Sequence, residues 1–223
     1  MDKSTLLDRV GAVGEDRLLL AKVLDRAAQA QSRNIPAATD FLSPQQQMLT
    51  EDLLRQAGVP EGGYVRMGGY AEAERALYLF LPDWMDAADA EGPIRCLRAS
   101  FRAEEHLTHR DFLGSLMGLG IVREKVGDIL VGADSADLLV LDTVTDFLLS
   151  SWTSAGRARL SVTEIPPAYL HIPEIRCEEV RDTVSSLRLD AVCSAGFRMA
   201  RGKAADLIAS GRVQVNWREC TKP

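Results

Sequence analysis

Long hydrophobic runs are missing from this chain of 223 residues, and no stretch approaches the about 20 consecutive apolar residues that a membrane-spanning helix needs. The N-terminal sequence, MDKSTLLDRVG, lacks the apolar core of a signal peptide. It also lacks the arginine- and serine-rich character of a transit peptide. These absences predict a cytoplasmic protein with no membrane partner.

Paired cysteines are missing as well. The chain has four cysteines, and their spacing matches neither a zinc site nor the disulfide framework of a short secreted protein. They are Cys96, Cys177, Cys193 and Cys220. We expect all four to be free thiols.

Motifs for catalysis are missing too. The glycines between residues 114 and 120 lie within and at the end of a predicted helix, so they predict close packing and a helix end and not a phosphate-binding loop. The triplet His-Arg-Asp at 109–111 occurs without the other elements of a kinase. His106 and His109 have no carboxylate or cysteine placed to complete a metal site, and a helix start capped by Thr108 fits them better. We predict no catalytic residue, no metal and no cofactor.

Charge is plentiful and unevenly distributed. With 46% hydrophobic and 26% charged residues, the chain can bury a real core, and its length suits two or three small domains. Residues 185–223 carry seven Lys and Arg against three Asp and Glu, a net +4; residues 1–184 carry nineteen against twenty-nine, a net −10. This asymmetry predicts a basic module attached to an acidic body.

The first 93 residues predict helices followed by short strands. Residues 4–31 have the spacing of a helix with a break near Gly14. A second helix should begin at residues 43–46 (Ser-Pro-Gln-Gln), because serine caps a helix, proline suits its first position and glutamine its third. It should end at Gly58. The strands are predicted at 64–67 and 76–81.

Residues 94–165 alternate between strand and helix patterns in the order βαββαβ. The predicted strands are 94–102, 128–131, 137–141 and 159–165, and the predicted helices are 109–119 and 144–152. This order is typical of the ferredoxin-like fold, an antiparallel sheet with both helices on one face, which RRM domains also use. RRM sheets stack bases on aromatic residues of their first and third strands, and here those strands offer only Phe101. We therefore do not expect this sheet to read RNA as an RRM does.

Residues 184–217 have the pattern helix, tight turn, helix and strand. The apolar positions of the first helix are Leu187, Leu189 and Val192, and those of the second are Ala204, Ala205, Leu207 and Ile208. Gly196 and Gly211 lie where the two helices must end. One side of the predicted strand consists of Val213, Val215 and Trp217. The cations lie off these buried faces, which predicts a compact module with a basic surface.

Three blocks in this region, 187–190 (LRLD), 200–204 (ARGKA) and 211–217 (GRVQVNW), closely resemble the S4 (αL-type) RNA-binding domain. This small module is shared by a ribosomal protein, pseudouridine synthases, a tRNA synthetase and several ribosome-associated factors. The resemblance implies that Arg188, Arg201, Lys203 and Asn216 face RNA, and the neighbouring cations Arg198, Arg212 and Arg218 complete the predicted surface. A serine is usual at the position of Ala200, so we expect a weaker start of the second helix.

Further blocks resemble the YlmH-type S4 proteins over almost the whole chain. They are 39–44 (TDFLSP), 68–70 (GGY), 73–75 (AER), 109–121 (HRDFLGSLMGLGI), 123–131 (REKVGDILV) and 184–190 (VSSLRLD). Members are bacterial or plastid RNA-binding proteins associated with the large ribosomal subunit and implicated in rescue and quality control of stalled translation, where the S4 domain holds rRNA and tRNA. One branch is described as a photosystem II S4 protein. Members usually continue for a few more strands after the asparagine-tryptophan pair, which leaves the completeness of the S4 sheet here open.

The combined prediction is an α+β protein with four regions. They are an N-terminal helical and short-strand region (1–93), a ferredoxin-like, RRM-like domain (94–165), a linker (166–183) and an S4 RNA-binding domain (184–223). Arg110, Arg123 and Lys125 either add phosphate contacts or pair with Asp111, Glu124 and Asp128. Arg201 and Lys203 should lie on the exposed start of a helix, so that replacing them leaves folding intact.

Three classes of function follow from these patterns and resemblances. The first is a noncatalytic RNA-binding factor that works on the large ribosomal subunit with rRNA and tRNA, and that is a monomer off the ribosome. The second is an RNA-modifying enzyme, but the chain has no pseudouridine-synthase aspartate motif, no SAM-binding glycine-rich turn and no synthetase nucleotide motif. The third is an assembly factor for photosystem II or for cell division. The resemblance favours the first, in the cytoplasm or in a plastid.

Overall fold

The chain divides into two compact units, Met1–Pro173 and Glu174–Pro223, which we refer to as the large unit and the C-terminal unit. The structure, a computed structural model, describes residues 2–174 and 177–222, except for the side chain of Arg218. The four predicted regions and their boundaries stay predictions.

Three helices begin the large unit. They are α1 (Lys3–Arg9), α2 (Gly14–Arg33) and α3 (Pro44–Ala57). At the start of α3 the Ser43 hydroxyl accepts a hydrogen bond from the backbone N–H of Gln46 at 3.3 Å, and the Gln46 side chain accepts one from the backbone N–H of Ser43 at 2.9 Å. Gly58 ends the helix in the left-handed conformation, with a φ of 73°. The predicted start and end of this helix are therefore confirmed.

A small antiparallel sheet lies against these helices. Its strands are β1 (Ala37–Ala38), β2 (Tyr64–Met67) and β3 (Leu77–Phe80), in the order β1-β3-β2. The middle strand, β3, is buried on both faces. Tyr78 and Phe80 pack in a cluster with residues of α2 and α3, whereas Leu77 and Leu79 pack in a cluster with a second sheet.

The second sheet belongs to the βαββαβ segment. Its elements are β4 (Ile94–Ser100), α4 (His109–Gly118), β5 (Val126–Val131), β6 (Ser135–Leu141), α5 (Asp142–Ser151), a short hairpin of β7 (Ser154–Ala155) and β8 (Ala158–Arg159), and β9 (Ser161–Ile165). The strand order is β5-β6-β4-β9, and every neighbouring pair is antiparallel. This is the ferredoxin-like arrangement, so the predicted architecture is confirmed. The last strand begins at Ser161 and not at residue 159, because the hairpin takes up the residues before it.

The glycines of α4 differ in role from the prediction. A Cβ atom at Gly114 or Gly118 would meet no atom within 4 Å, so the predicted close packing at these positions is wrong. Gly120 has a φ of 83° just after the helix and allows the chain to turn there, as predicted.

Both faces of the ferredoxin-like sheet are covered. Leu97 and Leu138 form a core with Phe112 of α4 and Leu148 of α5. On the opposite face, residues of three strands pack against the small sheet and the segment before α3; they are Cys96, Leu130, Leu139 and Leu141 from one side, and Phe41, Leu77, Leu79 and Leu81 from the other. The large unit is therefore built of four layers: helices, small sheet, ferredoxin-like sheet, helices.

The chain returns to the sheet after β9. Leu170 packs against the same cluster as Leu139. The buried carboxylate of Asp137 accepts hydrogen bonds from Arg98 and from the backbone N–H of His171, each at 2.7 Å. Residues up to 171 therefore belong to the packed body of the large unit.

The C-terminal unit contains α6 (Leu189–Gly196), α7 (Arg201–Ala209) and a hairpin of β10 (Gln214–Val215) and β11 (Arg218–Glu219). The predicted apolar face of its first helix is wrong in part, because Leu187 precedes the helix and is 92% exposed and Val192 is also exposed. The helix buries Asp190, Ala191 and Cys193 instead.

The single strand predicted beyond Val213 is also wrong. Asn216 and Trp217 have φ values of 50° and 63°, so they form a tight turn between two short strands. Two consecutive residues with positive φ are typical of the hairpin turn that matches the twist of the flanking strands. The alternation of side chains between the two sides of the strand therefore stops at Val215.

Candidate nucleic-acid interface

The predicted RNA-binding residues of the C-terminal unit lie on and around two short helices and a turn. α6 ends at Gly196, and the chain turns through Arg198, which has a left-handed backbone with a φ of 49°. The hydroxyl of Ser194 donates to the carbonyl of Met199 at 2.6 Å and fixes this turn. α7 then begins at Arg201 without a side-chain cap, because Ala200 has no hydroxyl, as the sequence predicts.

The structure brings two of the predicted arginines onto one carboxylate. Arg188 donates to Asp190 through Nε at 3.1 Å and through the neighbouring Nη at 3.2 Å. Arg201 donates to the same carboxylate through Nε at 3.0 Å and Nη at 3.1 Å. We refer to these three residues as the arginine clamp. The Asp190 side chain is only 8% exposed, whereas those of Arg188 and Arg201 are 52% and 50% exposed.

The hydrogen bonds of the clamp favour the ionised forms of Asp190 and Arg188. Hydrogen bonds from Arg188 and then from Arg201 hold the pKa of Asp190 well below the ordinary value of a carboxyl group. The hydrogen bond to Asp190 in turn raises the pKa of Arg188. The three groups together carry a net charge of +1, with the negative charge on the inside.

The other predicted cations of this unit are more exposed. Arg198 forms an ion pair with Glu178 at 2.7 Å, and both side chains are largely in solvent. Lys203 and Arg212 are exposed, and in the described part of the unit no carboxylate pairs with either. Asn216 is exposed in the hairpin turn, and the side chain of Arg218 lies outside the described residues.

Two exposed aromatic residues adjoin these polar groups. Phe197 is 72% exposed next to Arg198, and Trp217 is 48% exposed next to Asn216. An exposed aromatic ring beside cations can stack on an unpaired base. Neither residue was predicted to have this role; the signal for Phe197 was an aromatic residue in the turn between two helices, next to Arg198 and shortly before the basic start of α7.

The residues predicted as secondary contacts do not share one role. Arg123 is half-buried and donates to the carbonyl oxygens of Val126 and Gly127 at 2.5 and 3.0 Å. Lys125 pairs with Asp40 at 2.7 Å. The predicted ion pairs of these two residues with Glu124 and Asp128 are therefore wrong. Arg110 is exposed at the start of α4, where it stays a predicted phosphate contact.

Several other residues of the blocks that resemble the YlmH-type proteins form hydrogen bonds between the loop before β3 and the ferredoxin-like sheet. β5 has a bulge between Val126 and Ile129, which presents Asp128 to the loop before β3. Asp128 accepts hydrogen bonds from the Tyr70 hydroxyl at 2.7 Å and from the backbone N–H groups of Glu74 and Arg75 at 2.7 and 3.0 Å. We refer to this set as the Asp128 network.

The guanidinium of Arg75 extends the Asp128 network. It donates to the carbonyl oxygens of Val126 and Phe41, each at 3.0 Å. Burial, followed by the nearby charge of Arg123, lowers the pKa of Arg75 to about 10, so it remains protonated at neutral pH. Gly127 allows the ring of Phe41 to lie close to the backbone of β5, because a Cβ atom at Gly127 would be 2.8 Å from that ring. These blocks therefore have a structural role.

The layered arrangement excludes one mode of RNA binding. The sheet face on which RRM domains stack bases is covered by the small sheet, as the cluster around Leu139 shows. Phe101, the one aromatic that the sequence offered, packs on Phe112 of α4 with ring centroids 5.6 Å apart. RNA contacts of the large unit are thus limited to its edges and helices.

In the described ranges, no three side chains among His, Cys, Asp and Glu are placed to hold a metal ion. No helix among the same residues is long and apolar enough to cross a membrane.

Comparisons with known proteins match three segments of the chain. Family models match as "YlmH, N-terminal" over residues 15–82, "Putative RNA-binding domain in YlmH" over residues 102–168 and "S4 domain" over residues 187–223. The "Ribosome-associated protein quality control protein P2" of Bacillus subtilis (strain 168) is 33% identical over 211 residues, which cover 94% of this chain and 80% of that protein.

A solved structure shares the fold. "Cell division protein ylmH from Streptococcus pneumoniae" matches with a TM-score of 0.59 and 22% sequence identity. The match covers 69% of this chain and 93% of that one.

Proposed function

Because this chain belongs to the YlmH family of S4-domain proteins, we propose that it is a noncatalytic RNA-binding protein that acts on the ribosome. Its RNA partners are rRNA and tRNA on the large ribosomal subunit, and its process is the quality control or rescue of stalled translation in the cytoplasm. The name of the Bacillus relative supports the process, and the S4 match supports RNA as the ligand.

The observation that carries this proposal is the outward array of cations in the C-terminal unit. Arg188 and Arg201 are half exposed, and Lys203 and Arg212 are exposed. Cations that neutralise phosphates release counterions and provide most of the affinity for RNA, independently of sequence. Phe197 adds a surface for an unpaired base.

The charge of the rest of the chain supports a single RNA-binding end. Residues 1–184 carry a net −10 against +4 for residues 185–223. An acidic body repels the phosphate backbone, so nonspecific binding over the whole surface is disfavoured. In this proposal the large unit contacts protein or solvent, with Arg110 as an additional edge contact to RNA.

Co-sedimentation with ribosomes tests the proposal. The double substitution K203E/R212E reverses two exposed cations and should leave the fold intact, because neither side chain has a carboxylate partner in the described structure. Four phosphate contacts by the wild-type cations correspond to a log-log salt slope of roughly −3. The variant should bind far more weakly. Its salt slope should be flatter by the amount that corresponds to about two phosphate contacts.

The matched control is K22E/R26E, which makes the same change in charge on the exposed face of α2. It should sediment with ribosomes as the wild type does. If K22E/R26E abolishes binding while K203E/R212E binds normally, the C-terminal unit is not the RNA-binding end and the proposal is wrong.

Nuclease treatment separates the proposal from its alternative. An RNA-dependent association should disappear when the RNA is digested, whereas an assembly factor for photosystem II or cell division should keep its protein partners. RNA modification by the purified protein would support the enzyme class instead, and would overturn the noncatalytic role.

A further inference from the structure

We infer that Asp190 is a positioning residue for RNA binding: it holds the guanidinium groups of Arg188 and Arg201 side by side, with their free edges directed to the phosphate groups of RNA. The inference rests on the proposed RNA-binding function and deepens it. Asp190 itself does not touch the ligand.

The hydrogen bonds define which edge of each arginine is free. A guanidinium group has five N–H donors. Arg188 and Arg201 each give Asp190 the Nε–H and one N–H of the neighbouring Nη, so three donors per arginine remain. The second Nη group is wholly among them. Planar guanidinium edges of this kind match the paired oxygens of a phosphate group.

The exposed fractions of the three side chains place the arginines outside the carboxylate. The carboxylate of Asp190 is 8% exposed, and each arginine is about half exposed around it. The carboxylate therefore lies beneath the two cations and is shielded from an approaching phosphate by them. A phosphate meets a net positive surface although a carboxylate is within hydrogen-bond distance of both arginines.

Holding the arginines in advance lowers the cost of binding. A free arginine loses rotamer freedom when it is fixed by a ligand, and this loss weakens binding. Asp190 fixes both side chains before the ligand arrives, from two different places in the chain: Arg188 precedes α6 and Arg201 begins α7. Lys203 and Arg212 have no such support in the described residues.

Two simpler roles for Asp190 make different predictions. If Asp190 were only a negative charge near the RNA site, removing its charge would strengthen RNA binding. If it only joined the two helices, removing it would lower the stability of the unit and leave the RNA affinity of the folded protein unchanged. A positioning residue predicts weaker RNA binding by protein that is still folded.

The test measures binding of the full chain to purified bacterial large ribosomal subunits. Asp190→Asn keeps the shape and removes the charge, and Asp206→Asn makes the same change on the exposed side of α7. We expect D190N to bind about tenfold more weakly, because two long side chains lose their fixed position. D206N should bind equally well or more tightly. Thermal unfolding monitored by circular dichroism shows whether each variant is folded at the temperature of the binding measurement.

A double variant of the two arginines keeps the test decisive if D190N does not fold. Lysine in place of Arg188 and Arg201 keeps both positive charges but cannot make the side-on pair with Asp190. R188K/R201K should therefore bind about tenfold more weakly with an unchanged salt slope, since the number of cations is the same. In a folded D190N background the same two changes should add little, because all three residues act as one group.

The outcomes separate the inference from the proposed function. If K203E/R212E weakens binding but D190N behaves like D206N, or R188K/R201K binds like the wild type, the positioning role is wrong and the RNA-binding role stands. If K203E/R212E also binds like the wild type, the proposed function fails at this site.

Discussion

Asp190 and Asp128 are two carboxylates that each organise several donors, and they differ in what remains exposed. Around Asp128 the donors are a tyrosine hydroxyl and two backbone N–H groups, all used up within the large unit. Around Asp190 the donors are two guanidinium groups that keep half their surface in solvent. The first arrangement can only hold the fold together, whereas the second can also bind an anion.

At the residue scale, the four cysteines should differ sharply in reactivity. Cys96 is buried in the ferredoxin-like sheet, and burial, followed by the charge of Asp137, raises the pKa of its thiol to about 11. The thiolate is the reactive form, so at pH 8 this group stays protonated and inert. Cys177 is exposed. Alkylation at pH 8, followed by mass spectrometry, should label Cys177 within minutes and leave Cys96 unlabelled.

Denatured protein is the control for this experiment, because both cysteines should then react at similar rates. Raising the pH of the folded protein from 8 toward 11 should speed the labelling of Cys96, since more thiolate forms as the pH approaches its pKa. Equal labelling of the two residues in the folded protein at pH 8 would show that Cys96 is not buried as described.

Residue types were predictable from the sequence, but their partners were not. The cations of the C-terminal unit could be named from their clustering and from the S4-like blocks. For Lys125 an ion pair with a neighbour in sequence was one of two predicted roles, but this residue pairs with Asp40, which is 85 positions away. Arg201 was expected to be replaceable without effect on folding, yet it is tied to the buried Asp190. Ion pairs of this kind depend on which elements the fold brings together.

At the scale of single elements, the start of α3 provides a direct test of capping. Ser43→Ala removes the hydroxyl that accepts the N–H of Gln46 and leaves that donor without its partner. The free energy of unfolding of the large unit should fall by about 1 kcal/mol. Urea denaturation measures this change.

Ser32→Ala is the matched control, because Ser32 lies exposed near the end of α2 and caps no helix start. It should change the free energy of unfolding by less than about 0.5 kcal/mol. If both variants lose the same stability, the hydroxyl of Ser43 contributes nothing specific.

Elements with strong local signals were predicted well, and those that depend on a turn were not. The Ser-Pro-Gln-Gln start of α3 and its end at Gly58 are local patterns, and the structure reproduces both. The turn at Asn216 and Trp217 escaped prediction because the alternation of apolar and polar residues continues through it. Tight hairpins usually mark such a turn with glycine, and here tryptophan takes that position.

At the scale of the whole molecule, the sequence predicted the ferredoxin-like sheet but not what covers it. The βαββαβ order follows from periodicity within one segment. The face of this sheet opposite α4 and α5 is covered by residues from a segment that is distant in sequence, among them Phe41 and Leu77. The apolar run Leu-Tyr-Leu-Phe of β3 was a signal for this, because a strand that is apolar at every position is buried on both faces.

The Asp128 network joins the small sheet to the ferredoxin-like sheet and so holds two layers of the large unit together. Asp128→Ala leaves the hydroxyl of Tyr70 and the N–H group of Arg75 without their acceptor in a partly buried place, and the N–H group of Glu74 without it at the surface. Unsatisfied donors of this kind cost about 3 kcal/mol together, so the urea midpoint of the large unit should fall markedly.

Asp146→Ala, which removes an exposed carboxylate from α5 of the same unit, should leave the midpoint nearly unchanged. Ribosome binding by still-folded D128A should match that of the wild type, because the proposed RNA contacts lie in the C-terminal unit. A D128A midpoint equal to that of D146A would show that the layers are held together by apolar packing alone.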